Sequence, residues 1–184
     1  MDMQKVLLVM DMQPAILKNL PAPGTFVEQV GKAIAHARLS RIPVIYVRVG
    51  FRQGFPEISL QNKSFNTAKE RWANINPEDF LEIDSSVAPA PGEIVVTKRR
   101  ISAFTGSDLE VVLRSGEIRH IILSGISTSG VVLSTTREAA DKDYMITILS
   151  DACADADEEV HRVLIKKVFP RQAEVVSVEN WCSQ

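Results

Sequence analysis

A chain of 184 residues, 45% hydrophobic and 24% charged, has the balance of one globular domain with enough apolar material for a core. Its net charge of −2 makes no electrostatic case for a nucleic-acid or membrane partner, and no apolar run approaches the roughly 20 residues of a membrane span. Cys153 and Cys182 are too few for a disulfide framework and lack metal-ligand spacing; the short apolar run near the N-terminus, followed at once by an acid, reads as a strand and not a signal peptide, so a cytoplasmic protein is expected.

Val6-Leu7-Leu8-Val9-Met10 is a continuous apolar run, as in a strand buried on both faces. It ends at Asp11, an acid that is costly to bury unless paired or hydrogen-bonded. Pro14 restricts the backbone just beyond it, and Pro21, Pro23 and Gly24 make a loop. Thr25 and Glu28 have the spacing of a capping box. Phe26, Val30, Ala33, Ile34 and Ala37 give the next helix an apolar face. Pro43 to Val49 is the second strand.

Residues 50–92 differ from the rest. Pro56, Pro77, Pro89 and Pro91 punctuate them, and apolar periodicity is weak. A connection of this length is usually functional in a compact domain. It reads as an excursion that covers or lines a site, with a short helix near Thr67 to Trp72, or equally as a decorative or subunit-contacting loop.

Glu93 to Thr97 is the third strand, ending at Lys98. Ser107 and Glu110 repeat the capping-box spacing before a helix that runs through Arg114, with Gly116 as its stop. The stretch Arg119 to Asp151 holds the fourth strand around Ile121–Leu123, the loop Gly125–Gly130, a helix over Val131–Ala140 and a fifth strand at Tyr144–Leu149. Asp157 caps a last helix with Val160, Val163, Leu164 and Val168 turned inward and Pro170 ending it; Ala173 to Val178 is a sixth strand. This alternation predicts an α/β fold with a six-stranded, mostly parallel sheet in the order 3-2-1-4-5-6, strands one and four meeting at the switch point.

Three polar features fall at strand carboxyl ends: Asp11, Lys98 and the Gly125–Gly130 loop. A carboxylate near a lysine can serve as an acid or base tuned by its neighbour and by burial, and backbone N–H groups at a helix start can hold a developing oxyanion. Each feature also has an ordinary explanation as a turn residue, a solvated strand-end lysine or a tight loop.

Together they carry a resemblance. LLVMDMQ at 7–13, the Thr97-Lys98 pair with Phe104 after it, and GISTSGVV at 125–132 followed by REAADKDY resemble the isochorismatase-like hydrolases. That group, also called the cysteine hydrolase superfamily, includes nicotinamidases and N-carbamoylsarcosine amidases. The likeness covers nearly the whole chain. It implies a Rossmann-like three-layer α/β/α sandwich, a small-molecule substrate, and a homodimer or homotetramer. It implies catalytic roles for Asp11 and Lys98, a cis peptide bond at Ile126–Ser127, and a cysteine nucleophile at the start of the helix after strand four. Counted from Gly125, that position is Val131, which has no nucleophilic atom. Cys153 is a distant substitute. Ser127, Thr128 and Ser129 lack an evident base, because His36, His120 and His161 read as helix-face or strand-start residues. Gly50 to Glu57 contains no histidine, so no metal and no other cofactor is expected.

Isochorismatases proper cleave a vinyl ether, which calls for a proton donor and not a thiol. On that pattern Asp11 is the general acid, and Lys98, with Gln13 nearby, holds a substrate carboxylate and tunes Asp11. Phe104 and Val131 keep the pocket dry, and Ile126, Ser127 and Thr128 complete the substrate site. Burial would raise the pKa of Asp11 and Lys98 would lower it. In the expected strand order Lys98 starts two strands, ~10 Å, from strand one and must lean inward. Arg48, Arg52, Arg99 and Arg100 are candidates for recognising an anion. The expected function is a cysteine-independent small-molecule hydrolase. The alternatives are a non-catalytic binding or assembly subunit of the same fold, and an amidase using another nucleophile.

Overall fold

A computed structural model of the chain describes residues 4–20 and 23–184; the expected loop at Pro21 lies outside them. Six strands form one sheet: β1 (Lys5–Met10), β2 (Val44–Val49), β3 (Ile94–Lys98), β4 (His120–Ile126), β5 (Met145–Ala154) and β6 (Glu174–Val176). Their order is β3-β2-β1-β4-β5-β6. Every neighbouring pair is parallel, so the sheet is parallel throughout and not just mostly so.

The unbroken apolar run of β1 reflects its place in the middle of the sheet. Successive side chains of a strand point to opposite faces. Val6, Leu8 and Met10 enter one core with Leu109, Leu113, Leu123 and Phe169, while Leu7 and Val9 enter the other with Phe26, Val30 and Trp181. The second core is roofed by α2 (Gly24–Leu39), whose buried face is Phe26, Val30, Ala33, Ile34 and Ala37, as the 3.6-residue period requires. The first is covered by α5 (Leu109–Ser115) and α6 (Leu133–Asp141).

The two capping boxes do not form as expected. The N-cap of α2 is Pro23, two residues before Thr25, and no side chain caps the helix. Asp108 is the residue that precedes α5, and the Ser107 hydroxyl bridges the Leu109 N–H and the Ala103 carbonyl instead. Asp157 does cap α7 (Glu158–Val163), accepting from the Glu159 and Val160 N–H groups. The chain widens into a π-type turn over Leu164–Val168, which shifts the helix phase. Of the residues expected to turn inward, Val160 faces solvent, Val163 and Val168 are half-buried, and Leu164 is buried, as is Phe169. Strand β5 runs five residues beyond the expected end at Leu149, through a register irregularity opposite β4.

The 50–92 excursion carries α3 (Lys63–Trp72) and α4 (Pro77–Phe80). It has a small core of its own, Val49, Phe51, Phe65 and Phe80, with Trp72 stacked on Phe51 at 5.7 Å. Aromatic pairs of this kind hold a segment that lacks regular hydrophobic periodicity. No helix among the described residues is long and apolar enough to cross a membrane.

Candidate active site

The carboxyl ends of β1, β3 and β4 converge on one cleft of about 220 Å³. Its depth is formed by Asp11, Lys98, Ile126, Ser127, Gly130 and Val131. Gly125, the partner of Met10 in the ladder, makes this convergence possible. It has φ +129°, and a Cβ there would lie 2.1 Å from the Met10 carbonyl oxygen, so only glycine lets β4 approach β1 this closely.

Asp11 leaves β1 in the left-handed region, φ +56°, which is sparsely used by residues other than glycine but tolerated by Asp. Its N–H donates to Val47 O and its carbonyl accepts from Gln13 N–H, both at 2.7 Å. The strained backbone aims the side chain across β2, where Lys98 Nζ meets Asp11 Oδ2 at 2.9 Å. Lys98 is only 2% exposed and spans the distance along its stem. The ammonium gives its other protons to the Arg100 and Ile101 carbonyls, both at 3.0 Å. Asp11 Oδ1, by contrast, has no hydrogen-bond partner among the described residues. Burial raises the Asp11 pKa above the ordinary aspartate range, against the opposing pull of the Lys98 charge and hydrogen bond. A buried carboxyl held above its ordinary pKa range is the kind of group that acid–base chemistry employs.

The loop after β4 passes through a cis peptide bond at Ile126–Ser127. A π-type turn over Thr128–Val132 then leads into α6. Ser127 Oγ sits in the notch left by Gly130, where an added Cβ would come within 2.6 Å of it. Val131 turns an apolar side chain, 2% exposed, toward the cleft.

Three residues expected in the substrate site lie elsewhere. Gln13 is fully buried: its Oε1 accepts from Val49 N–H, and its Nε2 donates to the Val49 and Phe80 carbonyls, so it ties the excursion to β2. Phe104 is a core residue stacked on Tyr144. Thr128 is fully buried with its hydroxyl 2.8 Å from His161 Nδ1. His161, a plain helix-face residue by its spacing in the chain, is the partner of that threonine. The four arginine candidates are also occupied: Arg48 donates to Thr97 and Leu81, Arg52 and Arg99 meet Glu57, and Arg100 donates to the Arg99 carbonyl. Cys153 does not line the cleft. It is buried within β5, facing the Leu123 carbonyl, and burial pushes its thiol up to about 12.

The excursion lines one side of the cleft, one of the two roles expected of it, through residues that the sequence reading does not single out. Phe65, Ala68 and Trp72 present one side of α3 to the cleft, with Arg71 beside them, and Ile16 and Lys18 come from the turn α1 (Pro14–Leu17) and its end. The 65-68-72 spacing was the available signal.

The isochorismatase domain family matches residues 5–180. The chain belongs to the isochorismatase family. It is 36% identical over 177 residues to the isochorismatase family protein YecD of Escherichia coli O157:H7, covering 95% of this chain and 92% of that one. It is 28% identical to the ureidoacrylate amidohydrolase RutB of Pseudomonas syringae pv. syringae, over 97% of this chain and 78% of the relative. Among solved structures, an isochorismatase family protein from Burkholderia thailandensis superposes with a TM-score of 0.84 at 25% identity, over 96% of this chain and 93% of that one. N-carbamoylsarcosine amidase from Thermoplasma acidophilum shares the fold, with a TM-score of 0.77 at 24% identity over 96% and 98% of the two chains. In this family domain the cleft with Asp11, Lys98 and Val131 lies at the switch point between β1 and β4, the usual ligand crevice of an open α/β sheet.

Proposed function

We propose that this chain is a small-molecule hydrolase that works without a cysteine nucleophile, with Asp11 as a general acid. The observation that carries the reading is Asp11 itself: a buried carboxyl with a raised pKa, its Oδ1 without a partner among the described residues, facing a cleft whose helix-start residue is Val131. A thiol mechanism needs a nucleophile within reach of the substrate. Val131 has none, and Cys153 is buried outside the cleft with its thiol pushed up to about 12.

The chemistry that suits a protonated acid beside apolar walls is cleavage of a vinyl ether. Asp11 delivers its proton to the methylene carbon, leaving an oxocarbenium-like centre. Water adds to that centre, the hemiketal collapses with loss of the alcohol, and the proton released by water restores Asp11. The net reaction consumes one vinyl ether and one water and yields a 2-oxo acid and an alcohol when the ether is an enolpyruvyl one. Lys98 holds Asp11 in position and supplies a fixed positive charge next to it. Its three donors are all taken by protein oxygens, so it acts through Asp11 and not on the substrate.

The test is pyruvate release from isochorismate by the wild type and by Asp11→Asn, side by side. Release that disappears in the variant is expected. Release that survives in Asp11→Asn, or none from the wild type, would sink the assignment of acid catalysis on this substrate.

A further inference from the structure

We propose that Arg71, assisted by Lys18, is the anion-selecting group of this cleft, so that it takes small carboxylates in preference to their neutral amides. The proposal rests on reading the cleft as the active site and names the residue that chooses its substrate.

Four charged side chains line the cleft: Asp11, Lys18, Arg71 and Lys98. The two deep ones answer each other, and Lys98 has no proton left for a ligand. Lys18 and Arg71 are exposed at the mouth, and among the described residues neither has a carboxylate within ion-pair reach. Nearby arginines are engaged, Arg52 and Arg99 by Glu57 and Arg48 by the Leu81 carbonyl. Two positive charges are therefore left uncompensated over this cleft, on a chain whose net charge is −2. A concave site with one sign of charge over apolar walls raises the local concentration of the opposite ion.

The position of Arg71 is set by packing. It stands in the last turn of α3, and Phe65 and Trp72 on the same helix are locked against Phe51 at 5.4 and 5.7 Å. Arginine on such a support offers a planar fork that matches a carboxylate with two parallel hydrogen bonds. The interior beneath is apolar, with Ile16, Val49, Ile126 and Val131 among its walls. Its volume of about 220 Å³ lies below the roughly 300–1,000 Å³ of drug-sized pockets, so the body of the ligand is small.

The experiment is titration calorimetry of the full chain with benzoate and its neutral isostere benzamide. In the wild type benzoate should bind about tenfold tighter or better. Arg71→Gln should remove most of that preference and leave benzamide unchanged; Arg71→Lys should keep part of it, and Lys18→Gln should remove a smaller share. Equal affinities in the wild type, no binding of either probe, or a preference that survives Arg71→Gln would each overturn the proposal. The pyruvate assay separates this from the reaction: a benzoate preference without vinyl-ether turnover leaves the anion site standing and removes the acid chemistry. Asp11-dependent turnover with no preference does the reverse.

Discussion

Lys98 Nζ lies 2.9 Å from Asp11 Oδ2, and its two other donors are held by the Arg100 and Ile101 carbonyls. The pair spans β2, so its geometry is set by three strands at once. Replacing Lys98 by Met keeps the stem and deletes the charge. The pull that lowers the Asp11 pKa then vanishes and burial acts alone. The high-pH limb of kcat/KM should move to higher pH, with turnover reduced because Asp11 is no longer held. An unmoved limb in Lys98→Met would show that the lysine does not tune this acid.

Asp11→Asn removes the titrating carboxyl from the cleft floor. Turnover should fall by at least about 100-fold, the usual contribution of a positioned general acid. Stability supplies an independent check. Because the folded pKa of Asp11 is raised, its contribution is fully present below the ordinary aspartate value near 3.9 and is lost as pH rises through the raised value. Urea unfolding of wild type across that window should show stability declining with pH from this group, and Asp11→Asn should flatten that part of the slope.

Ser127 and Gly130 are coupled by space. A Cβ at 130 would sit 2.6 Å from Ser127 Oγ but 3.9 Å from Ser127 Cβ. Gly130→Ala should therefore push the hydroxyl out of its notch and lower kcat/KM. In the Ser127→Ala background the same change meets only an ordinary contact and should cost little more. A double-mutant cycle with independent effects would refute the coupling.

Gln13 should matter for the excursion more than for chemistry. Gln13→Ala leaves the Val49 N–H and the Phe80 carbonyl without their buried partner, at a cost of about 1–3 kcal/mol for each unsatisfied group. Because Phe80 packs with the aromatic cluster behind α3, KM should rise more than kcat falls. Thermal unfolding and steady-state kinetics on the same preparation would show both effects.

Cys153 should be inert. With its thiol buried and pushed up to about 12, it carries almost no thiolate at neutral pH. Iodoacetamide under native conditions should leave Cys153 unmodified by peptide mapping and turnover unchanged. Loss of activity that tracks labelling of Cys153 would restore the thiol mechanism.

The sequence by itself determined the sheet. Apolar runs buried on both faces, spaced by amphipathic helices, admit few arrangements, and right-handed crossovers select the parallel order with β1 beside β4. It also marked Asp11, Lys98 and the loop after β4, because polar residues at the ends of buried strands stand out against their neighbours. Tertiary structure alone decided which groups those residues touch. Gln13, Phe104 and Thr128 belong to the motifs themselves, yet their side chains turn into the Val49–Phe80 tether, the Tyr144 stack and the His161 contact. Arg71 and Trp72 are far from the motifs and reach the cleft only because an aromatic cluster drawn from separate parts of the chain, Phe51, Phe65, Trp72 and Phe80, folds the excursion back. Whether Asp11 is raised or lowered was equally invisible in one dimension. It depends on how completely the carboxyl is buried against one ammonium at 2.9 Å, and burial is a property of the packed molecule.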